Sequence, residues 1–116
     1  MYNPRPLAET GNVLTVTYRL GPLGFLAYPA FGSANPGVMD EQLALSGYER
    51  ISRPLAGDPG NVTVFGESAG AYDTFTHPTS PLSAGLFDRA IIQSGAYNIT
   101  SADLAASHNL NLARCT

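Results

Sequence analysis

The feature that most constrains this chain is a ten-residue stretch, residues 61–70, which reads Asn-Val-Thr-Val-Phe-Gly-Glu-Ser-Ala-Gly. Its first half is rich in β-branched and aromatic residues, which predicts a short strand over residues 62–65. Its second half is a Gly-x-Ser-x-Gly pentapeptide followed by alanine, which predicts a sharp turn at Ser68 and then a helix. Strand, turn and helix in this order are the context in which the serine of such a pentapeptide acts as a nucleophile.

The predicted turn at Ser68 makes specific demands on its neighbours. It holds the serine backbone in a strained conformation, in which Cβ atoms two residues before and two residues after would collide. Gly66 and Gly70 meet that demand because glycine has no Cβ. Ser68 Oγ would then stand clear at the end of the strand, where the first helical N–H groups, notably that of Ala69, would face an oxyanion. The alternative interpretation is an ordinary loop serine between two glycines.

Composition indicates a small globular protein. The chain has 116 residues, 44% of them hydrophobic, and a formal net charge of −3, which suits one domain at most. The acidic balance argues against a phosphate-binding surface, so we expect no nucleic-acid partner. The best apolar stretch, residues 20–31, is interrupted by glycine and proline and therefore predicts no membrane span.

Cysteine, histidine and N-terminal signals point to no special chemistry. The chain has one cysteine, Cys115, so we expect no internal disulfide, and Cys115 is either a reduced thiol or half of a bridge whose partner lies elsewhere. His77 and His108 lie far apart in the sequence without a second cysteine, so we expect neither a metal site nor a cofactor. The first residues lack the basic and then apolar pattern of a signal peptide, which leaves the localisation open. The sequence gives no indication of an oligomeric state.

Strand and helix signals alternate along the rest of the chain. Residues 13–18 and 89–95 are apolar, β-rich runs that predict one strand before and one strand after the strand at residues 62–65. Helices are predicted from an N-cap at Asp40 to about Arg53, from Ser68 to Pro78, and over residues 101–113. This alternation predicts an α/β fold, a partial doubly wound parallel sheet of about three strands with flanking helices.

Several blocks of the sequence resemble the type-B carboxylesterases and cholinesterases of the α/β-hydrolase fold. The blocks occur in the right order and spacing, at residues 18–26, 35–45, 57–59, 66–70, 80–87 and 89–95. The resemblance implies that residues 1–116 are an internal part of one such domain, cut at both ends, whose partner is a small-molecule ester. It also implies that Ser68 is the acylated nucleophile, that the Ala69 N–H belongs to the oxyanion hole, and that Glu67 supports the electrostatics of the site.

Three parts of the site that this resemblance implies are missing from the sequence. Relatives take further oxyanion donors from a His-Gly-Gly-Gly segment, and a triad acid and histidine from later in the chain, and none of the three is found here. A serine without a positioned base is a poor nucleophile at neutral pH. We interpret His77 and His108 as packing or surface residues and not as a substitute base. The expected function is that of a serine ester hydrolase acting through Ser68, inactive as an isolated chain. The alternatives are a non-catalytic fragment and an adhesion or binding member of the fold.

Two segments depart from the resemblance. Relatives usually carry Arg-Trp, Asn-Ile and Phe-Gly-Gly where this chain has Ser46-Gly47, Ile51-Ser52 and Leu55-Ala56-Gly57. Gly47 and Pro54 should weaken the helix there, Gly47 by about 1 kcal/mol relative to alanine. One interpretation is a local reading-frame error or decay between Leu45 and Gly57. Residues 73–78 are also more polar and more helix-breaking than expected after such a turn.

Overall fold

A computed structural model describes residues 3–26 and 35–95. Its helices are α1 (Arg5–Ala8), α2 (Gly21–Phe25), α3 (Pro36–Ile51) and α4 (Ala69–Thr76), and its strands are β1 (Thr63–Glu67) and β2 (Arg89–Gln93). Three short 3-10 turns, Arg53–Leu55, His77–Thr79 and Pro81–Ser83, complete the regular structure of these ranges. No helix in the described ranges is both long enough and apolar enough to span a membrane. The helix predicted over residues 101–113, together with His108 and Cys115, lies outside the described residues.

β1 and β2 pair in parallel, and α4 connects them. The register places Phe65 opposite Ile91 and Gly66 opposite Ile92. A parallel pair requires a crossover connection, and α4 provides it by packing against both strands. The strands predicted before and after this helix are therefore confirmed, as is the end of the helix before Pro78.

The first predicted strand, at residues 13–18, is not formed. Residues 12–20 have no regular secondary structure, and among the described residues only β1 and β2 form a sheet. β-branched residues favour an extended backbone, but a strand is stable only when a neighbouring strand pairs with it. The prediction of about three strands is therefore wrong for the described part of the chain, which holds two.

Helix α3 begins earlier than the sequence signals indicated. The predicted N-cap, Asp40, lies inside the helix, which starts at Pro36 with Asn35 as the N-cap in a left-handed conformation. Proline suits the first helical turn because the N–H that it lacks would have no acceptor within the helix. The helix ends at Ile51, before Pro54, as predicted.

Asp40 joins helix α3 to the irregular segment before it. Its two carboxylate oxygens accept hydrogen bonds from the Arg19 guanidinium, each 2.7 Å long, and one of them also accepts from the Arg19 backbone N–H at 3.1 Å. The guanidinium lowers the pKa of Asp40 to about 2. Residues 12–20 are thus attached to α3 through a two-pronged ion pair.

The two faces of the sheet differ in what covers them. A Cβ on Gly66 would point into α4, so the face that carries Gly66 and Ile92 lies against the helix. Phe65 and Ile91 lie on the opposite face and are 49% and 50% exposed. Among the described residues, Ala71 is the only fully buried hydrophobic side chain. The apolar core of these ranges is therefore thin, and one sheet face is open.

Candidate active site

Ser68 occupies the turn between β1 and α4 in a strained backbone conformation. Its φ of 55° and ψ of −115° lie in a region that residues with a Cβ rarely adopt. This conformation turns the chain sharply from the strand into the helix and leaves Ser68 exposed. The predicted order of strand, sharp turn and helix is confirmed.

The two glycines that flank this turn play different parts. A Cβ on Gly66 would lie 2.1 Å from the Gly70 carbonyl oxygen and 2.3 Å from its carbonyl carbon, so no side chain fits at position 66. A Cβ on Gly70 would meet no atom within 4 Å beyond its own stretch of helix backbone. The steric need predicted for Gly66 is confirmed. The one predicted for Gly70 is wrong, because here the Gly70 backbone itself fills the space beside Gly66.

Backbone hydrogen bonds hold the Ser68 turn on both sides. The Ser68 N–H donates to the carbonyl of Gln93, the last residue of β2, at 3.0 Å. The Ser68 carbonyl accepts from the N–H groups of Ala71 and Tyr72, each at 3.1 Å, in the first turn of α4. The serine is therefore held by the sheet and by the helix, and its position depends on the pairing of β1 with β2.

The residues on either side of Ser68, Glu67 and Ala69, lie at the end of β1 and at the start of α4. Ala69 is the first residue of α4, and its N–H, like that of Gly70, has no acceptor within the helix. These N–H groups and the helix dipole favour negative charge beside Ser68. Glu67 is the last residue of β1 and, like Ser68 and Ala69, it is exposed. One turn therefore presents a hydroxyl, a candidate oxyanion donor and a carboxylate to solvent.

His77 is buried at the end of α4 and is bound through both ring nitrogens. Its Nε2 lies 3.1 Å from Glu41 Oε2, and its Nδ1 lies 3.1 Å from Ser83 Oγ. His77 is 3% exposed, and its ring makes an edge contact with Phe87, with the ring centroids 6.4 Å apart. Neither nitrogen is available to Ser68, which confirms the interpretation of His77 as a packing residue.

A row of hydrogen bonds connects a serine, a histidine and an acid, namely Ser83, His77 and Glu41. Substrates cannot reach this row. Ser83 is 1% exposed. Its Oγ also accepts a hydrogen bond from the Gln42 amide at 3.0 Å, and the same amide donates to Ser80 Oγ. Because a nucleophile must reach its substrate, the row is structural.

A second carboxylate, that of Asp73, is buried beside this row. Asp73 in α4 is 3% exposed and accepts a hydrogen bond from the Tyr18 hydroxyl. Burial raises the pKa of Asp73 and of Glu41, because a site of low dielectric disfavours the charged form. Burial and the neighbouring Asp73 likewise raise the pKa of Tyr18. Within the described ranges, no three potential metal ligands come together at these or other acidic groups.

Sequence reasoning did not anticipate this polar cluster. Its hydrogen bonds join residues as many as 41 positions apart, which no local pattern reveals. The available signal was the polarity of residues 73–78, because Asp73 and His77 are four positions apart and so lie on one helical face. A polar pair on a face that packs inward predicts polar partners on the element that covers it.

Comparison with known proteins identifies the family of the chain. The model of the carboxylesterase family matches residues 1–114. The chain belongs to the carboxylesterase family. The resemblance to type-B carboxylesterases and cholinesterases that the sequence blocks indicated is therefore confirmed.

Relatives of this carboxylesterase-family chain include an esterase, a cholinesterase and a lipase. The para-nitrobenzyl esterase of Bacillus subtilis (strain 168) is 42% identical over 112 residues, which cover 92% of this chain and 23% of the relative. The cholinesterase of Mus musculus is 40% identical over 124 residues, which cover 100% of this chain and 21% of the relative. The bile salt-activated lipase of Mus musculus is 44% identical over 98 residues, which cover 82% of this chain and 16% of the relative. The chain thus spans about a fifth of the length of these relatives.

Solved structures of carboxylesterases agree on the fold. A thermophilic PNB esterase superposes on this chain with a TM-score of 0.78 at 39% identity, over 84% of this chain and 21% of that structure. A second PNB esterase gives a TM-score of 0.77 at 40% identity, with the same coverage of 84% and 21%. These neighbours have the α/β-hydrolase fold, so the predicted fold family is confirmed, with two strands in the described residues where about three were expected.

Proposed function

We propose that this chain carries the nucleophile turn of a carboxylic ester hydrolase, with Ser68 as the acylated residue. The observation that supports the proposal is the Ser68 backbone, which has a φ of 55° between a strand and a helix of a carboxylesterase-family chain. Such a conformation costs about 1–3 kcal/mol, and at Ser68 it stands at the junction between β1 and α4, where the chain turns from strand into helix. The exposed hydroxyl of Ser68 is the group that this strained turn presents.

The proposed reaction consists of two acyl transfers on a small-molecule ester, the substrate class that the names of the relatives suggest. Ser68 Oγ attacks the carbonyl carbon while a general base takes the hydroxyl proton, and the carbonyl oxygen becomes an oxyanion. The Ala69 N–H stabilises that oxyanion together with further donors. The tetrahedral intermediate then expels the alcohol, which receives the proton from the base, and water hydrolyses the acyl-serine through the same steps.

Other residues contribute to this chemistry indirectly. Gly66 permits the close contact with Gly70 that the turn requires, and the Glu67 carboxylate sets the local field and orders water. His77 is not the base, because both of its nitrogens are bound to other groups. We propose that the base, its acid partner and the remaining oxyanion donors come from other parts of an α/β-hydrolase domain, of which residues 1–116 are an internal part.

Reaction with a fluorophosphonate tests the role of Ser68. The purified chain alone should not be labelled, because both ring nitrogens of His77 are bound to Ser83 and Glu41 and cannot activate Ser68. A chimera in which this chain replaces the matching segment of the Bacillus subtilis para-nitrobenzyl esterase should be labelled on one serine and should hydrolyse para-nitrophenyl acetate. Ser68→Ala should reduce hydrolysis by the chimera about 10³-fold or more and should abolish labelling.

Ser46 provides a control for this experiment because it lies on a different helix, α3. Ser46→Ala should leave labelling and hydrolysis by the chimera unchanged, and peptide mass mapping identifies the labelled serine. Labelling that persists in Ser68→Ala would overturn the proposal. A folded chimera that is not labelled would also overturn it, and would favour the non-catalytic alternative.

A further inference from the structure

We propose that His77 is a positioning residue for the Ser68 turn and that it acts as the neutral tautomer with its proton on Nε2. In this role it joins the end of α4 to α3 through Glu41, and to the Pro81–Ser83 turn through Ser83. Glu41, His77 and Ser83 are named here the histidine clamp. The proposal deepens the proposed function and rests on it, because the helix that the clamp holds is the one that begins directly after Ser68.

The imidazole ring of His77 contacts two other segments of the fold. His77 directly follows α4, its Nε2 lies 3.1 Å from Glu41 Oε2 on α3, and its Nδ1 lies 3.1 Å from Ser83 Oγ. His77 and Ser83 are 3% and 1% exposed, and the Glu41 side chain is 12% exposed. Water therefore competes little for these hydrogen bonds, and breaking one leaves a buried polar group without a partner.

The partners of the ring decide where its proton lies. The Gln42 amide nitrogen only donates, and it lies 3.0 Å from Ser83 Oγ, so this oxygen accepts there. Ser83 can then donate its own hydrogen to His77 Nδ1, which must be unprotonated. An ionised Glu41 carboxylate only accepts, so it requires a hydrogen on His77 Nε2. When Glu41 is ionised, each of these donors has an acceptor if the ring is neutral and carries its proton on Nε2.

The carboxylates around His77 and its hydrogen bond with Ser83 act in opposite directions. Glu41 faces the ring from α3, Asp73 acts on it from α4, and Tyr18 acts through its hydrogen bond to Asp73. The carboxylates attract a second proton to the ring. That proton would sit on Nδ1, point at Ser83, and leave the buried Ser83 hydroxyl hydrogen without an acceptor among the described residues. The hydrogen-bond geometry therefore favours the neutral ring, in which the Ser83 hydroxyl hydrogen has His77 Nδ1 as its acceptor.

The clamp acts on Ser68 through a short helix. Helix α4 has eight residues, Ala69–Thr76, so Ser68 and His77 flank its two ends. Between them, Asp73 is held by a further polar contact. Apolar packing contributes little, because Ala71 is the only fully buried hydrophobic side chain of the described residues. Directional hydrogen bonds therefore decide how the helix, and with it the Ser68 turn, lies on β1 and β2.

Nitrogen NMR of the imidazole tests the tautomer in the full chain. With ¹⁵N-labelled histidine, His77 should show a protonated Nε2 and an unprotonated Nδ1 near neutral pH, with the signals assigned from their loss in His77→Gln. Glu41→Gln should retain this pattern, because glutamine still offers an acceptor oxygen, whereas Glu41→Ala should give a mixture of tautomers. A proton on Nδ1 of the wild-type chain, or a tautomer mixture there, would overturn the proposal.

Amide hydrogen exchange tests the effect of the clamp on the Ser68 turn. Ser83→Ala removes one arm of the clamp and should speed exchange over residues 68–76 about fivefold to tenfold. Leu82→Ala is the matched control, since Leu82 belongs to the same 3-10 turn and is 74% exposed, and it should change exchange there by less than about twofold. Equal effects of the two variants, or changes confined to residues 77–83, would show that His77 holds only its own loop, and the proposal would fail.

Both readouts are independent of catalysis. If the chimera is not labelled on Ser68 while the tautomer and the exchange pattern are as expected, the proposed function fails and the positioning of the turn stands. If labelling occurs and the wild-type ring carries its proton on Nδ1, the proposed function stands and the clamp fails. Should Ser83→Ala not fold, the tautomer of the wild-type chain and of Glu41→Gln still decides the question.

Discussion

At the scale of single residues, the two glycines beside Ser68 should respond differently to the same substitution. Gly66→Ala should lower the free energy of unfolding by about 3 kcal/mol or more, because the backbone must move to make room for the new Cβ. Gly70→Ala should raise it by up to about 1 kcal/mol, because its surroundings are open and alanine favours a helix over glycine. Denaturant midpoints of both variants give the measurement. Equal losses at the two positions would contradict the steric argument.

The segment between Leu45 and Gly57, which departs from the pattern of the carboxylesterase family, contains two residues in unfavourable environments. Ser52 is fully buried, and its hydroxyl has no hydrogen-bond partner among the described residues. Ala56 has a φ of 60°, a left-handed conformation that costs a residue with a Cβ about 1–2 kcal/mol. Ser52 and Ala56, which stand where relatives usually carry isoleucine and glycine, therefore fit their positions poorly. These two misfits support the reading-frame interpretation, which stays a hypothesis.

At the scale of secondary-structure elements, Asp73 couples the stability of α4 to pH. Burial raises its pKa in the folded chain, so the folded state binds a proton more readily than the unfolded state does. The free energy cost of burying the carboxylate is therefore present above the raised pKa and is relieved as the pH falls toward the ordinary value of 3.8. The Asp73→Asn variant has no carboxylate at this position, so its stability does not include the cost of burying a charge. Relative to this variant, the wild-type chain should gain stability as the pH falls from about 7 to about 4.

Denaturant midpoints of the wild-type chain and of Asp73→Asn across this pH interval measure the effect. Asparagine keeps an acceptor oxygen for the Tyr18 hydroxyl, which makes the variant a close match. A difference between the two midpoints that does not change with pH would contradict the prediction. At lower pH both proteins should lose stability together, because Asp40, with a pKa of about 2, becomes protonated and releases Arg19.

Elements that depend on local sequence were predictable, and those that depend on distant partners were not. The Ser68 turn could be predicted because its strand, glycine and helix signals lie side by side in the sequence. The strand expected at residues 13–18 failed because a strand requires a neighbour that no local pattern supplies. Asp40 was expected to cap a helix, a local role, but its partner Arg19 lies 21 positions away. The histidine clamp was missed for the same reason, since its bond from α3 to His77 spans 36 positions.

At the scale of the whole molecule, the open sheet face governs how the chain behaves in solution. Phe65 and Ile91 form a cross-strand pair, each about half exposed, on the face that α4 does not cover. An apolar face of this kind, together with unpaired strand edges, favours association between copies. We therefore expect the isolated chain to be marginally stable and prone to aggregation.

A lysine on either face of β2 tests this expectation. Ile91→Lys places a charge on the open face and should reduce light scattering by the purified chain without lowering its stability. Ile92→Lys is the matched control, because it places the same charge on the face against α4, where it should lower the free energy of unfolding by about 2 kcal/mol and increase scattering. Scattering that falls with Ile92→Lys and not with Ile91→Lys would show that the open face has been misassigned.

The bond from the Ser68 N–H to the Gln93 carbonyl has a consequence for protein engineering. Residues 62–93 contain Ser68, the proposed oxyanion donor Ala69 and the strand β2 that holds the turn, so we expect that they can be transferred together to another parallel β-α-β unit. In such a graft, the hydrogen bond from the Ser68 N–H to the Gln93 carbonyl forms only when the two strands pair in the correct register. Neighbouring carbonyls along a strand point in opposite directions, so a slip of one residue along β2 would turn the accepting oxygen away and leave the serine turn unsupported.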